Sequence, residues 1–411
     1  VNQEQLIPHL FRTEYSKITS VLCKLFGIAY IETAEDIVSD TFLLAAETWG
    51  LKGLPQNPTA WLYTVAKNKA RDFLKHQQVF NQKISPAFQS ADDGHTDIEI
   101  DLSNTNITNS QLQMMFAICH PSIPAESQIG LSLNILCGFG VDEIADAFLT
   151  SRDTIYKRLT RAKEKLRTEQ IKMELPPKTE INKRLEAVIT TLYLLFSEGY
   201  YSTSQNATLR KDLCIEAMRL SLMLADNELT NTPDLNALIS LMCFHASRFE
   251  ARTNSQGELV VYEEQDETLW NQELIDKGLV YLNKSSVGKH ISKYHLEAAI
   301  AYWHTHKTDT REKWENILQL YNKLLQIEYS PIAALNRTYA LSKANGKTEA
   351  IVEAEKLQLH TNHLYHLLLA NLYEGVDREK ISIHLKKAYE LARTHTEKLN
   401  IEKKIQALVG R

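Results

Sequence analysis

The stretch GVDEIADAFLTSRDTIYKRLTRAKEKL, residues 140–166, decides the class of fold. Val141, Ile144, Ala145 and Phe148 recur at helical spacing and give a first helix one buried face. Leu149 to Arg152 break the pattern, and Thr150 or Ser151 can cap a second helix by accepting from its free amides. The second helix buries Ile155, Leu159, Ala162 and Leu166. Its other face carries Arg152, Lys157, Arg158, Arg161, Lys163, Lys165 and Arg167. This reads as a helix-turn-helix, whose second helix can lie in a major groove with long cations reaching phosphates and base edges. A solvated basic helix on a bundle is the plain alternative for this segment taken alone.

Outward from that stretch, helical periodicity runs through the chain and no set of alternating strands appears, so the expected class is all-α. At 411 residues the chain exceeds one ordinary domain. Residues 1–77 read as three or four helices. Residues 78–125 read as a linker, polar and acidic over 78–110, with Pro86 and Gly94. Residues 126–172 form a compact unit around the helix-turn-helix. Pro176 and Pro177 interrupt the chain, and residues 181–411 read as a larger helical domain.

That last domain carries a weak repeat. Tyr302, Tyr339 and Tyr373 lie 37 and 34 residues apart, and Tyr321, Ala354 and Ala388 lie 33 and 34 apart. The period is that of stacked helix pairs of the tetratricopeptide type, which present concave surfaces to protein segments. Asn345-Gly346 and Glu374-Gly375 supply turns.

A net charge of −5 argues against nucleic acid until the charges are located. Residues 31–51 hold five acids and no base, and residues 89–109 repeat that balance. Residues 61–83 hold five Lys and Arg against one acid, and residues 152–172 eight against three. Local fields, not the total, steer a polyanion. The five cysteines are scattered without metal-ligand spacing, which suits a reducing cytosol. Neither a signal peptide nor a membrane-spanning run is evident, so a cytoplasmic protein without a membrane partner is expected.

Within residues 34–49, Val38, Phe42, Ala45 and Trp49 face inward, while Asp36, Asp40 and Glu47 form an acidic stripe. Within residues 57–75, Leu62, Val65, Ala66 and Phe73 form a core stripe, and Lys67, Asn68, Arg71 and Lys75 a basic one that Tyr63 opens. A basic helix with an aromatic and an amide can track a backbone and hold unstacked bases. Solubility for the acidic stripe, and core packing for Tyr63, are the plain readings.

An acidic helix, a Trp-Leu-Tyr…Ala-Lys-Asn…Arg-Asp helix, an acidic linker and a helix-turn-helix ending Arg-Leu-Thr-Arg-Ala-Lys together resemble an extracytoplasmic-function (ECF) sigma factor over residues 1–170. The remainder, with Leu-Phe-Ser-Glu-Gly-Tyr at 195–200 and Cys-Phe-His-Ala-Ser-Arg at 243–248, resembles the subgroup carrying a fused tetratricopeptide-like domain. The resemblance implies two partners, core RNA polymerase and promoter DNA. It implies that Asp36, Asp40 and Phe42 dock on the polymerase clamp. Tyr63 and Asn68 would hold a flipped base of the minus-ten element, with Lys67 and Arg71 on the same strip, and residues 50–57 would form the specificity loop. Tyr156, Lys157, Thr160 and Arg161 would read the minus-thirty-five element, with Arg152 and Thr154 at the start of that helix. Relatives often carry a basic or small residue where Tyr156 stands, so the base sequence read does not transfer. The acidic linker would occupy a basic channel as a nucleic-acid mimic. The carboxy-terminal repeats would bind a protein or contact the sigma part and regulate it.

Two rival classes account for less of the chain. An ordinary helix-turn-helix regulator with a helical effector domain explains residues 140–166 but leaves the acidic helix and the basic strip idle. An enzyme would need a catalytic or metal constellation. His304 and His306 with Glu297 or Asp309 suggest one, yet histidines two apart diverge on a helix, and no Gly-rich phosphate loop accompanies them. No cofactor, metal or catalytic residue is therefore expected.

Overall fold

The computed structural model describes residues 3–84, 100–148, 150–201, 210–254, 260, 262–392 and 395–409. Among them the regular structure is helical, with no strand. The chain divides into two units, 1–194 and 195–411.

The first unit contains α1 (Gln3–Phe26), α2 (Ile31–Lys52), α3 (Pro58–Ile84), α4 (Asn104–Ile118), α5 (Ala125–Leu131), α6 (Val141–Ala147), α7 (Arg152–Thr168) and the first part of α8 (Ile181–Tyr201). α1 packs against both α2 and α4. Its Ile18 and Leu22 are fully buried, as are Val38 and Ala45 of α2 and Leu62, Ala66 and Ala70 of α3. A π turn at Ser132–Leu136 follows α5 and also rests on α1.

Residues 104–118, placed in the linker by their polar composition, are instead the helix α4. Ile107, Leu112, Met114, Met115, Phe116 and Ile118 are buried. Gln111 donates to Ser16 at 2.8 Å and Lys24 donates to Asn106 at 3.1 Å, tying α4 to α1. The acidic stretch proposed to mimic nucleic acid falls mainly on 85–99, outside the described residues.

The division into units also departs from the expected boundary at 181. The first half of α8 belongs to the first unit. Arg184 donates to the Phe116 carbonyl at 2.7 Å, and Thr191 donates to Gln128 at 2.8 Å.

The second unit holds the end of α8, then α9 (Lys211–Ala225), α10 (Pro233–Ala246), α11 (Gln272–Ser285), α12 (Lys293–Trp303), α13 (Arg311–Ile327), α14 (Pro331–Ala344), α15 (Lys347–Leu357), α16 (His363–Leu372), α17 (Arg378–Leu391) and α18 (His395–Val409). α10 is buried along nearly its whole length and packs on α9, α11 and α12. Its Phe244 ring approaches Gly278 of α11 so closely that a Cβ there would lie 2.6 Å from the ring. From α12 onward, helices pack in sequence as successive pairs around Trp314, Ile317, Leu341, Tyr365 and Leu372. The small residues Ala354 and Ala388 of the repeat pattern are fully buried where those helices meet.

All five cysteines lie among the described residues, are buried and form no disulfide. Burial pushes the Cys119 thiol up to about 11 and those of Cys214 and Cys243 to about 12, so they stay protonated. No described helix is long and apolar enough to cross a membrane.

Candidate polymerase and nucleic-acid interfaces

α2 buries Ile37, Val38, Phe42, Ala45 and Trp49 and leaves Asp36 and Asp40 exposed. Phe42 is 5% exposed and its ring packs 5.0 Å from that of Phe11. It therefore holds the helix in place and offers no contact surface of its own. Asp40 pairs with Lys69 of α3 at 3.2 Å, with both side chains still partly in water. One turn beyond Asp40 stands Leu43, 60% exposed, with Leu44 beside it. An exposed leucine at i+3 from Asp40 and i+7 from Asp36 shares their face. Hydrophobic periodicity overlooks it, although a wheel drawn around the acids contains it. Leu51 and Leu54, exposed just beyond, extend apolar surface into the loop before α3.

On α3 the aromatic and the basic strip separate. The Tyr63 hydroxyl donates to Glu14 of α1 at 2.7 Å, and its ring is half-buried. Burial first, then the Glu14 carboxylate, raises its pKa. Tyr63 is thus held by α1. Asn68 is exposed, while Lys67 and Arg71 are partly buried.

α6 and α7 fold as the spacing requires. Ser151 caps α7, its hydroxyl accepting from the Thr154 amide at 3.2 Å. Glu143 accepts from the Gly140 amide at 2.8 Å and fixes the start of α6. Ile155, Leu159, Ala162 and Leu166 are the buried residues of α7.

The basic face of α7 divides in two. Arg152, Thr154, Tyr156, Lys157, Thr160 and Arg161 are exposed, Tyr156 by 62%. The other cations are committed within the unit. Arg158 pairs with Glu126 at 2.8 Å, Lys163 with Glu35 at 2.6 Å and Arg167 with Glu32 at 2.7 Å. Lys165 donates to the Ser122 carbonyl. All six α7 candidates thus lie on one open strip, whose basic side chains are Arg152, Lys157 and Arg161. Arg152 also lies 3.4 Å from Asp142, both largely in water, where such a pair contributes little. Thr160 donates back to the Tyr156 carbonyl at 2.9 Å.

Residues 10–79, covering most of α1, α2 and most of α3, match the sigma-70 region 2 family. Residues 184–286 match a family of unknown function, DUF6596. An uncharacterized protein of Rhizobium meliloti (strain 1021), R00370, is 31% identical over 353 residues, which cover 85% of this chain and 83% of that protein. No solved structure matches the chain.

Proposed function

The chain belongs to one family with R00370 and carries a sigma-70 region 2, and we propose that it binds core RNA polymerase and directs promoter-specific initiation as an ECF-type sigma factor. The observation that carries this reading is the exposed acidic face of α2, with Asp36, Asp40 and Leu43 together, inside the segment that matches sigma-70 region 2. Charge steers such a face to a basic partner, and the leucines add desolvated contact once it is seated. Asn68, Lys67 and Arg71 would follow the melted minus-ten strand. Tyr63 would join them only after leaving Glu14.

In this reading α6 and α7 form a helix-turn-helix whose open strip enters the major groove at the minus-thirty-five element. The two elements lie roughly 25 base pairs apart, or about 85 Å at 3.4 Å per step. Lys163 meanwhile ties α7 directly to α2. Reading both elements at once therefore requires the α6–α7 pair to leave α2. The free chain would be closed and polymerase would open it. The chemistry of RNA synthesis stays with polymerase.

The carboxy-terminal unit would be a tetratricopeptide-like regulatory domain, supported by its successive helix pairs and buried small residues at the repeat positions. Co-purification with core polymerase, followed by core-dependent transcription, tests the reading. Tight binding to an operator duplex in the absence of core would favour an ordinary regulator instead.

A further inference from the structure

Among its described residues, the second unit buries cations without matching anions. Arg248, just beyond α10, is 7% exposed, and Lys313 of α13 is 2% exposed. Arg248 donates to the Tyr200 hydroxyl at 3.3 Å, lies 3.4 Å from His245 Nδ1, and sits 5.5 Å from the centre of the Tyr262 ring. Arg252 lies 4.0 Å over the Tyr200 ring. Lys313 donates to the Tyr262 hydroxyl at 3.3 Å and to the His306 carbonyl, and its ammonium is also 5.5 Å from the Tyr262 ring. One tyrosine thus touches two buried cations from distant parts of the chain.

Among the described residues neither arginine forms an ion pair. Asp309, the carboxylate that acts most strongly on Lys313, is already bound to Trp314 and to Lys343. Several polar atoms here are buried without a hydrogen-bond partner among the described residues. They are Arg248 Nε, Arg252 Nε, Trp270 Nε1, His304 Nδ1 and Gln265 Oε1. The neighbouring histidines respond as bases in a positive field. Burial, then Arg248 and Lys313, hold His304 down at about 3, and burial, then Arg248, Arg252 and His304, push His245 well below its ordinary value. A guanidinium has no such escape, because it does not deprotonate in proteins. Leaving a cation buried and unpaired is costly, and a cation–π contact returns only part of that cost.

We propose that this cluster is a binding site for a small organic anion, its carboxylate or phosphate held by Arg248, Arg252 and Lys313. Planar guanidinium forks suit either oxyanion. The stacking of Tyr262 with Trp270 at 6.2 Å, and the tilted packing of Tyr200 against His245 at 4.4 Å, place ring surfaces beside the cations that suit an aromatic or otherwise planar body. Gln265 Oε1 offers an acceptor for a hydroxyl or amine on the same ligand. Burial of the donors selects a small molecule over a macromolecular surface. The site stands on the second unit alone and does not rest on the polymerase reading.

Thermal unfolding of the full chain in chloride buffer, with benzoate, phenyl phosphate or inorganic phosphate added at matched ionic strength, tests the site. A saturable rise in Tm is expected with at least one of them, larger for an anion with a ring. Arg248→Met should unfold no earlier than the parent in chloride, because it removes an unpaired buried cation, and it should lose the anion response. Arg252→Gln, at a partly exposed position, should fold and weaken the response, so the test survives if Arg248→Met does not fold. Arg311→Gln, a surface change on α13, should keep it. Absence of a saturable rise with all three anions, or a rise unchanged in both site variants, overturns the proposal.

Discussion

Lys163 of α7 donates to Glu35 of α2 at 2.6 Å, and both side chains are only 13% exposed. This pair fastens the most basic helix of the first unit to its acidic one. Arg167–Glu32 continues the seam at 2.7 Å. Arg12 of α1 reaches Glu143 of α6 at 2.7 Å and lies 3.9 Å over the Phe139 ring. Burial raises the Glu35 carboxyl pKa, and Lys163 pulls it part of the way back.

Removing the cation should therefore destabilise the first unit in a pH-dependent way. Lys163→Met should cost about 1.5–3 kcal/mol near neutral pH, the range for losing a hydrogen bond to a charged group. An acid with a raised folded pKa is least costly below its unfolded value and loses stability as pH rises through the folded one. Without Lys163 the Glu35 pKa rises further, so the penalty should be small in acid and grow toward neutrality. Urea unfolding of parent and variant across that span measures it. A penalty that shrinks as pH rises would contradict the account.

Loosening the same seam from the α2 side leaves the basic helix untouched. Glu32→Gln with Glu35→Gln should raise core-dependent promoter output, because less work is needed to separate α7 from α2. Unchanged output together with lowered thermal stability would show that the seam is structural only.

Docking and DNA reading should separate by mutation. Leu43→Ala, or Asp36→Lys with Asp40→Lys, should weaken core binding while leaving the fold intact, since exposed substitutions usually shift stability by within about 0.5 kcal/mol. Lys157→Ala with Arg161→Ala should spare core affinity and lower promoter use, by roughly 1–3 kcal/mol for each side chain that pairs with a base in bidentate fashion. Core affinity and promoter output measured for each variant check this. Equal loss of core affinity in both sets would refute the division.

The second unit should weaken in acid. Burial holds His304 at about 3, and burial with His366 holds His384 at about 4. Each therefore stays neutral when folded but takes a proton on unfolding below its ordinary value. Stability should fall as pH drops from about 6.5, by up to about 1.4 kcal/mol per pH unit for each such histidine. His384→Gln should flatten that slope in chemical unfolding of the full chain followed at several pH values. An unchanged slope would mean that His384 does not carry the effect.

Much of the fold is legible in the sequence because helical spacing reports burial directly. Ile155, Leu159, Ala162 and Leu166 are buried at their expected positions, and Ser151 is the cap. α4 is not legible in this way, because its Asn, Ser, Thr and Gln content reads as linker and only the tertiary contact with α1 makes it core. The fate of individual polar groups is not readable either. Spacing places Lys157 and Lys163 on one basic face, but the partner acid Glu35 lies 128 residues away from Lys163 in sequence. Tyr63 poses the same difficulty, since its partner Glu14 belongs to another helix. Likewise the division inside α8 depends on Arg184 and Thr191 reaching back to Phe116 and Gln128.

Above all, this chain should turn core polymerase into a promoter-specific enzyme. Run-off transcription with sigma-free core polymerase on pooled genomic fragments, with and without the purified chain, measures that directly by mapping transcript starts. Discrete starts that appear only with the chain, and that fade with Asp36→Lys and Asp40→Lys, are predicted. Starts that do not change when the chain is added, together with tight binding of the chain alone to a defined duplex, would contradict it.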